Sequence, residues 1–496
     1  MISLRARKPP LVLLWVLAVL VLGTWGAWAG PNWNPQPMTN LIAPETADTA
    51  IVSSSRTAPL DTYEVATSVH DVAMEDGTTI ELTLREPVGV KGQSPGVVFL
   101  HGTGTSSHEA FEEHAQWLAS AGIVTAVPDK LLEHYTTFER DYLGLARGYE
   151  TVAEWLRDQD SVYARDVGYY GESEGALVAP VAVADDAEAA FLILISDPAM
   201  PIRDQGALAA DAYLRNVGVP PVIYQGIPRL ITGAIAAGDF QYATFDPRPY
   251  HKQITVPVMM AYGTHDLSMP IVQGPIEVGE SLQEAGNNDL LVRYYEGADH
   301  GLRIDGELQA RPFQDIANFI NGLPSSARLS PKVAGAQPHQ AFTAQTLDTP
   351  RWFGSGTAMF AILASGLMLT VIGSLLLLSG HFGIGARQNY QRVGRPILIS
   401  AVLVTLTWVA FLAYLVAIAT LALSYETNRW VVQGGILTVE LLGLAAVYFL
   451  VRALATWHAH PMQTRRAGAD LRVIFTGQIL LLFALAYWGI YPSPFF

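Results

Sequence analysis

Five stretches of this 496-residue chain are apolar for long enough to cross a bilayer, and they constrain its architecture before any motif is considered. They are Leu11–Ala29, Thr357–Leu378, Ile397–Leu423, Val431–Val451 and Val473–Tyr491, and one crossing takes about 20 residues. Only the fourth contains a charged residue, Glu440. Core helices of soluble proteins rarely stay uncharged all round, so the pattern predicts membrane helices. Charge is distributed accordingly. Residues 1–29 carry +3 and residues 351–496 carry +6, which leaves −24 on residues 30–350 for a net of −15. An acidic block of this kind argues against nucleic acid as a partner, because phosphate binding needs a basic face. The chain has no cysteine, which excludes disulfides, thiolate catalysis and cysteine-ligated metals.

Orientation follows from lysine and arginine. Arg5, Arg7 and Lys8 precede the first span, Arg387, Arg392 and Arg395 follow the second, and Arg452, Arg465, Arg466 and Arg472 follow the fourth. If every stretch crosses once, all three groups fall on one side, the cytoplasm. Residues 30–350 then lie outside the cell membrane. Ala27-Trp28-Ala29 resembles a signal-peptidase site, but an apolar run of 19 residues exceeds the usual ~7–15 of a cleaved signal. An uncleaved anchor is expected. Glu440 lies near mid-bilayer and should be protonated or paired, with Thr405, Thr407 or Gln478 as neutral partners.

The central block divides by composition. Residues 30–60 read as a linker, 61–323 as an alternation of strands and helices, and 324–356 as a second linker before four membrane helices over 357–491. Glu75-Asp76-Gly77 marks a hairpin between the first two strands. Short apolar strands then alternate with helical segments, which predicts an α/β fold with a mostly parallel sheet and helices on both faces. Residues 197–253 interrupt the alternation, too long for a structureless loop, and are expected to form a helical cap. Its Pro220, Pro221, Ile223, Tyr224, Ile227 and Leu230 suggest an apolar pocket. In such sheets, ligands bind beyond the carboxyl ends of the strands.

The chemistry-bearing residues lie at those ends. Gly171-Glu172-Ser173-Glu174-Gly175 follows a strand and opens a helix, so the G-x-S-x-G pattern places Ser173 on a tight turn. A serine nucleophile needs a base oriented by an acid. Asp266 ends Tyr262-Gly263-Thr264-His265-Asp266 and His300 lies in Glu296-Gly297-Ala298-Asp299-His300-Gly301, each just after a strand and in the order Ser, Asp, His. Asp197 and Asp299 are the rival carboxylates. An oxyanion hole is expected from the backbone N–H of Glu174 and of Thr103 in His101-Gly102-Thr103-Gly104. His108, His114 and His134 lack metal-ligand spacing, so neither a metal nor a cofactor is expected.

These four motifs, in this order over residues 61–323, resemble the α/β-hydrolase superfamily, nearest its dienelactone-hydrolase-like and prolyl-oligopeptidase-like esterase branch. The resemblance implies Ser173 as nucleophile, Asp266 as orienting acid and His300 as base. The chain departs from the family in the acidic residues flanking Ser173 and in its added membrane spans. A membrane-tethered, extracytoplasmic serine hydrolase is expected, acting on small-molecule or lipid-like acyl substrates, with membrane lipid as its surroundings. A prolyl-oligopeptidase-type peptidase is the enzymatic alternative, although the chain has none of the ~40–50-residue propeller repeats such enzymes carry. A non-catalytic receptor or transport-associated membrane protein is the alternative outside enzymes.

Overall fold

The computed structural model describes residues 10–52, 58–74, 76–383, 390, 392–424 and 426–493. Arg5, Arg7, Lys8, Glu75 and Arg387 lie outside them. Two compact units emerge. One comprises 35–209 and 240–346; the other comprises the remaining segments, 1–34, 210–239 and 347–496.

The first unit is built on a nine-stranded sheet. Its strands are β1 (Glu64–Ala73), β2 (Thr79–Val88), β3 (Ser94–Leu100), β4 (Val124–Pro128), β5 (Val162–Glu172), β6 (Leu192–Ile195), β7 (Val258–Gly263) and β8 (Leu290–Tyr295). The two-residue strands β9 (Arg303–Ile304) and β10 (Glu307–Leu308) form a separate hairpin, and β11 (Val333–Gly335) closes the main sheet. The spatial order is β1-β2-β4-β3-β5-β6-β7-β8-β11. β1 and β2 run antiparallel, β2 is antiparallel to β4, and every other pairing is parallel. At the first turn, Gly77 has φ +85° and the Asp76 carboxylate accepts the Thr78 N–H at 2.8 Å.

The short apolar strands are explained by burial on both faces. On β3, Val98 and Leu100 join a core with residues of helices α3 (Tyr142–Arg157) and α4 (Glu174–Asp185), whereas Val97 and Phe99 join residues of α2 (Glu112–Ser120) and α10 (Ala310–Asn321). Residues 324–346, expected as part of a linker, supply β11, which pairs with β8. Residues 37 and 46 bridge to 342 and 334. These polar segments are held by backbone pairing, which composition does not report.

Among the described residues, the second unit holds five helices long and apolar enough to cross a membrane: α1 (Leu11–Ala29), α11 (Gly356–Phe382), α12 (Gly394–Leu423), α13 (Gly435–Ala459, preceded by a wide turn from Trp430) and α14 (Arg465–Tyr487). The last begins before its apolar run and ends at Tyr487, two residues ahead of Gly489 with its φ of +81°. Small residues allow close approach: a Cβ on Gly477 of α14 would stand 2.5 Å from the Thr370 nitrogen of α11. The Ser400 hydroxyl of α12 donates to Ala446 O of α13 at 2.8 Å.

The interruption at 197–253 is helical, with α5 (Ile202–Asn216), α6 (Pro221–Tyr224), α7 (Gly226–Ala236) and α8 (Arg248–His251); α9 (Gln273–Glu284) returns to the sheet layer. Residues 210–239 group with the apolar helices. There Arg229 is buried and its guanidinium donates to Gly26 O at 3.1 Å, Pro31 O at 3.5 Å and Tyr487 O. Glu440 does not meet its expected partners. The Thr405 and Thr407 hydroxyls donate to carbonyls one turn back in their own helix, and the Gln478 amide donates to Ile397 O. Helical hydroxyls satisfy themselves locally, so their nearness in sequence pattern does not make them partners. Glu440 instead lines a cavity of about 430 Å³ with Gln225, Arg229 and Tyr491 among its walls.

Candidate active site

Ser173 sits between β5 and α4 with φ +57° and ψ −117°. A non-glycine residue in that region is strained and persists only when its surroundings impose it. Here the imposition is steric. A Cβ on Gly175 would stand 2.2 Å from Leu100 O, and one on Gly171 would stand 2.5 Å from Gly175 O. The strand-to-helix crossing closes only without those side chains. The Ser173 N–H donates to Ile195 O at 2.9 Å, which ties the turn to the end of β6.

The loops after the neighbouring strands bring the expected acid and base together. His300 Nδ1 lies 2.9 Å from Asp266 Oδ2. Ser268, which the sequence reading did not single out, donates its hydroxyl to Asp266 Oδ1 at 2.6 Å and stands 3.1 Å from His300 Nδ1. Its only signal was its place two residues after the aspartate, where a hydroxyl and an N–H both reach a carboxylate. Burial alone would raise the Asp266 carboxyl. The His300 charge and hydrogen bond, with the two bonds from Ser268, outweigh burial and hold it below the usual range. Burial works to lower His300, but Asp266, then Glu172 and Asp299, raise it above its ordinary value.

The rival carboxylates are engaged differently. Asp197 is fully buried, accepts the Ala199 N–H at 3.0 Å, and is pushed by burial up to about 7. The Asp299 N–H donates to Arg303 O, and burial raises its carboxyl. His101 is a structural residue, with Nε2 2.6 Å from Pro128 O and a value lowered to about 4 by burial.

The acidic neighbours of Ser173 have distinct surroundings. Glu172 accepts the Tyr170 hydroxyl at 3.1 Å and lies 3.7 Å from His114 Nε2; burial raises it. Glu174 is 4% exposed and is gripped by Lys130 Nζ at 3.0 Å, Tyr142 OH at 2.9 Å, Tyr135 OH and Arg140 Nη1. Burial would raise it, but Lys130, Tyr135 and Arg140 together hold it below the ordinary range. Arg140 also stacks 4.3 Å above the Tyr242 ring and reaches Thr103 Oγ1 at 3.4 Å. The sequence flags Glu174 but carries no local signal for its partners, which are 32 to 44 positions away.

Gly102 places the His101–Gly104 loop against the turn: a Cβ there would stand 3.5 Å from Ser173 Cβ. Among the described residues, one group has the ligand types for a metal, Glu81, His108 and Asp129. Asp129 Oδ1 already accepts the His108 N–H at 2.7 Å and faces its ring nitrogen at 2.9 Å, which makes it a loop clasp.

No family model matches the sequence, and no curated protein is similar to it. Solved structures with a related backbone include a dienelactone hydrolase from Anabaena variabilis, at 17% identity and TM-score 0.35, covering 52% of this chain and 96% of its own. An esterase from Pyrobaculum calidifontis is 17% identical with TM-score 0.38, covering 53% of this chain and 87% of its own. An α/β hydrolase from Penicillium is 15% identical with TM-score 0.37, covering 53% and 98%. The strand order and parallel pairing of this chain themselves define the fold as that of an α/β hydrolase with several long apolar helices added.

Proposed function

We propose that this protein is a membrane-anchored serine hydrolase that cleaves carboxylic ester or related acyl bonds on the extracytoplasmic side. The observation that carries the reading is Ser173 in its strained turn, with the His300–Asp266 pair 2.9 Å apart on loops after two strands of the same sheet. In this mechanism Ser173 Oγ attacks the acyl carbonyl and His300 Nε2 takes its proton. Asp266, hydrogen-bonded to Nδ1, holds the ring in the required tautomer and stabilises the imidazolium. The tetrahedral oxyanion accepts the Thr103 and Glu174 N–H groups. His300 then protonates the leaving alcohol, and water repeats the sequence to release the acid.

Hydrolysis of p-nitrophenyl esters of graded chain length by the full-length protein in detergent tests the reading. Ser173→Ala should lower kcat/KM at least ~10³-fold with an unchanged thermal melt. Equal turnover by that variant would contradict the assignment.

A further inference from the structure

One buried cation touches both halves of the expected oxyanion hole. Lys130 follows β4 and is 4% exposed. Its ammonium donates to Gly102 O at 2.8 Å and to Glu174 Oε2 at 3.0 Å, and it lies 4.0 Å from the centre of the Tyr135 ring. Burial lowers its affinity for the proton, while Glu174 opposes that effect.

The partner at Gly102 is chemically informative. Gly102 C=O and Thr103 N–H belong to one trans peptide unit, whose planarity points them in opposite directions. Fixing the carbonyl on the ammonium therefore fixes the direction of the N–H. Withdrawing electron density through the carbonyl also makes that N–H a stronger donor. The second partner, Glu174, is the residue whose own N–H is the other expected donor. Lys130 and Arg140 together carry one more positive charge than Glu174 neutralises, which leaves a net positive cluster beside the place where negative charge develops.

We propose that Lys130 is a positioning residue for the oxyanion hole, holding the Gly102–Thr103 peptide in its donating orientation and bracing it to the nucleophile turn. This rests on the reading of Ser173 as the acylated nucleophile. The contribution appears as charge forms on the carbonyl oxygen, so it belongs to the transition state and not to substrate binding. A lysine that only neutralises Glu174 would affect stability without that selectivity.

The test uses full-length protein and two variants, Lys130→Met and Lys130→Gln, so that a folding failure in one leaves the other; only folded protein, judged by its melt, is assayed. Each folded variant should lose kcat by about tenfold or more, a fraction of the ~10²–10³-fold cost of deleting an oxyanion donor outright. KM should change by less than about twofold, and affinity for a trifluoromethyl ketone, which forms a tetrahedral oxyanion on the serine, should fall in parallel with kcat/KM. Lys130→Gln, which keeps a donor for Gly102 O without the charge, should retain more activity than Lys130→Met. A folded variant with kcat within about threefold of wild type, or a loss confined to KM, would overturn the proposal. Failure of the underlying reading is separate: wild type and Ser173→Ala would then hydrolyse esters alike.

Discussion

At the scale of single residues, the charges around His300 raise its affinity for a proton, and in the proposed mechanism this sets the pH of activity. Asp266, Glu172 and Asp299 stabilise the imidazolium, and a general base acts only when neutral. The kcat/KM for a soluble ester should therefore rise with pH through a midpoint above ~6.5, the value of an unperturbed histidine. Glu172→Gln removes one of those charges and should move the midpoint down; a midpoint that stays fixed or rises would contradict the role given to Glu172. The same pair also affects stability. A raised histidine contributes stability fully present below ~6.5 and lost as pH climbs through the folded value. The turn at Ser173 and the meeting of Asp266 with His300 were legible in the sequence because each residue sits in a short motif at a strand end. Lys130, Tyr135, Arg140 and Tyr142 were not, because they meet Glu174 only after the chain folds.

At the scale of elements, two contacts decide whether the local structure closes. Gly175→Ala would place a methyl 2.2 Å from Leu100 O, where neither β3 nor the start of α4 can yield. The variant should lose ester hydrolysis and melt well below wild type. A fully active, equally stable Gly175→Ala protein would contradict the turn geometry. Arg229→Met in α7 leaves Gly26 O, Pro31 O and Tyr487 O without their donor. Unsatisfied buried acceptors cost roughly 1–3 kcal/mol each, so the variant in detergent should melt several degrees lower, and an unchanged melt would show those carbonyls to be otherwise satisfied. The helical nature of 197–253 was legible from its length and apolar pieces. Its division was not: residues 210–239 group with the long apolar helices because Arg229 and Trp33 bind across segments far apart in sequence, the latter donating to Asp211 at 2.7 Å. Glu440 shows the same limit, since its surroundings include Gln225 and Arg229 from that insertion and not Thr405, Thr407 or Gln478.

At the scale of the whole molecule, five long apolar helices and one unit with the α/β-hydrolase fold share a chain, and the basic loops predict an orientation for them. Fusions of a compartment-sensitive reporter after Ala334 and after Gln388 should report opposite sides, with 334 extracytoplasmic; Gln388 lies outside the described residues. The same side at both positions would contradict the five-span topology. The long apolar helices and the α/β alternation were readable because hydropathy and strand periodicity are local properties, whereas β11 was not, since its three residues are defined by pairing with β8. The central claim is that Ser173 is an activated nucleophile, and peptide mapping by mass spectrometry after exposure of the full-length protein to a fluorophosphonate tests it most directly. The account predicts one phosphonyl adduct, on the peptide containing Ser173, absent from Ser173→Ala. An unmodified Ser173 in folded wild-type protein, or an equal yield of adduct in Ser173→Ala, would contradict it.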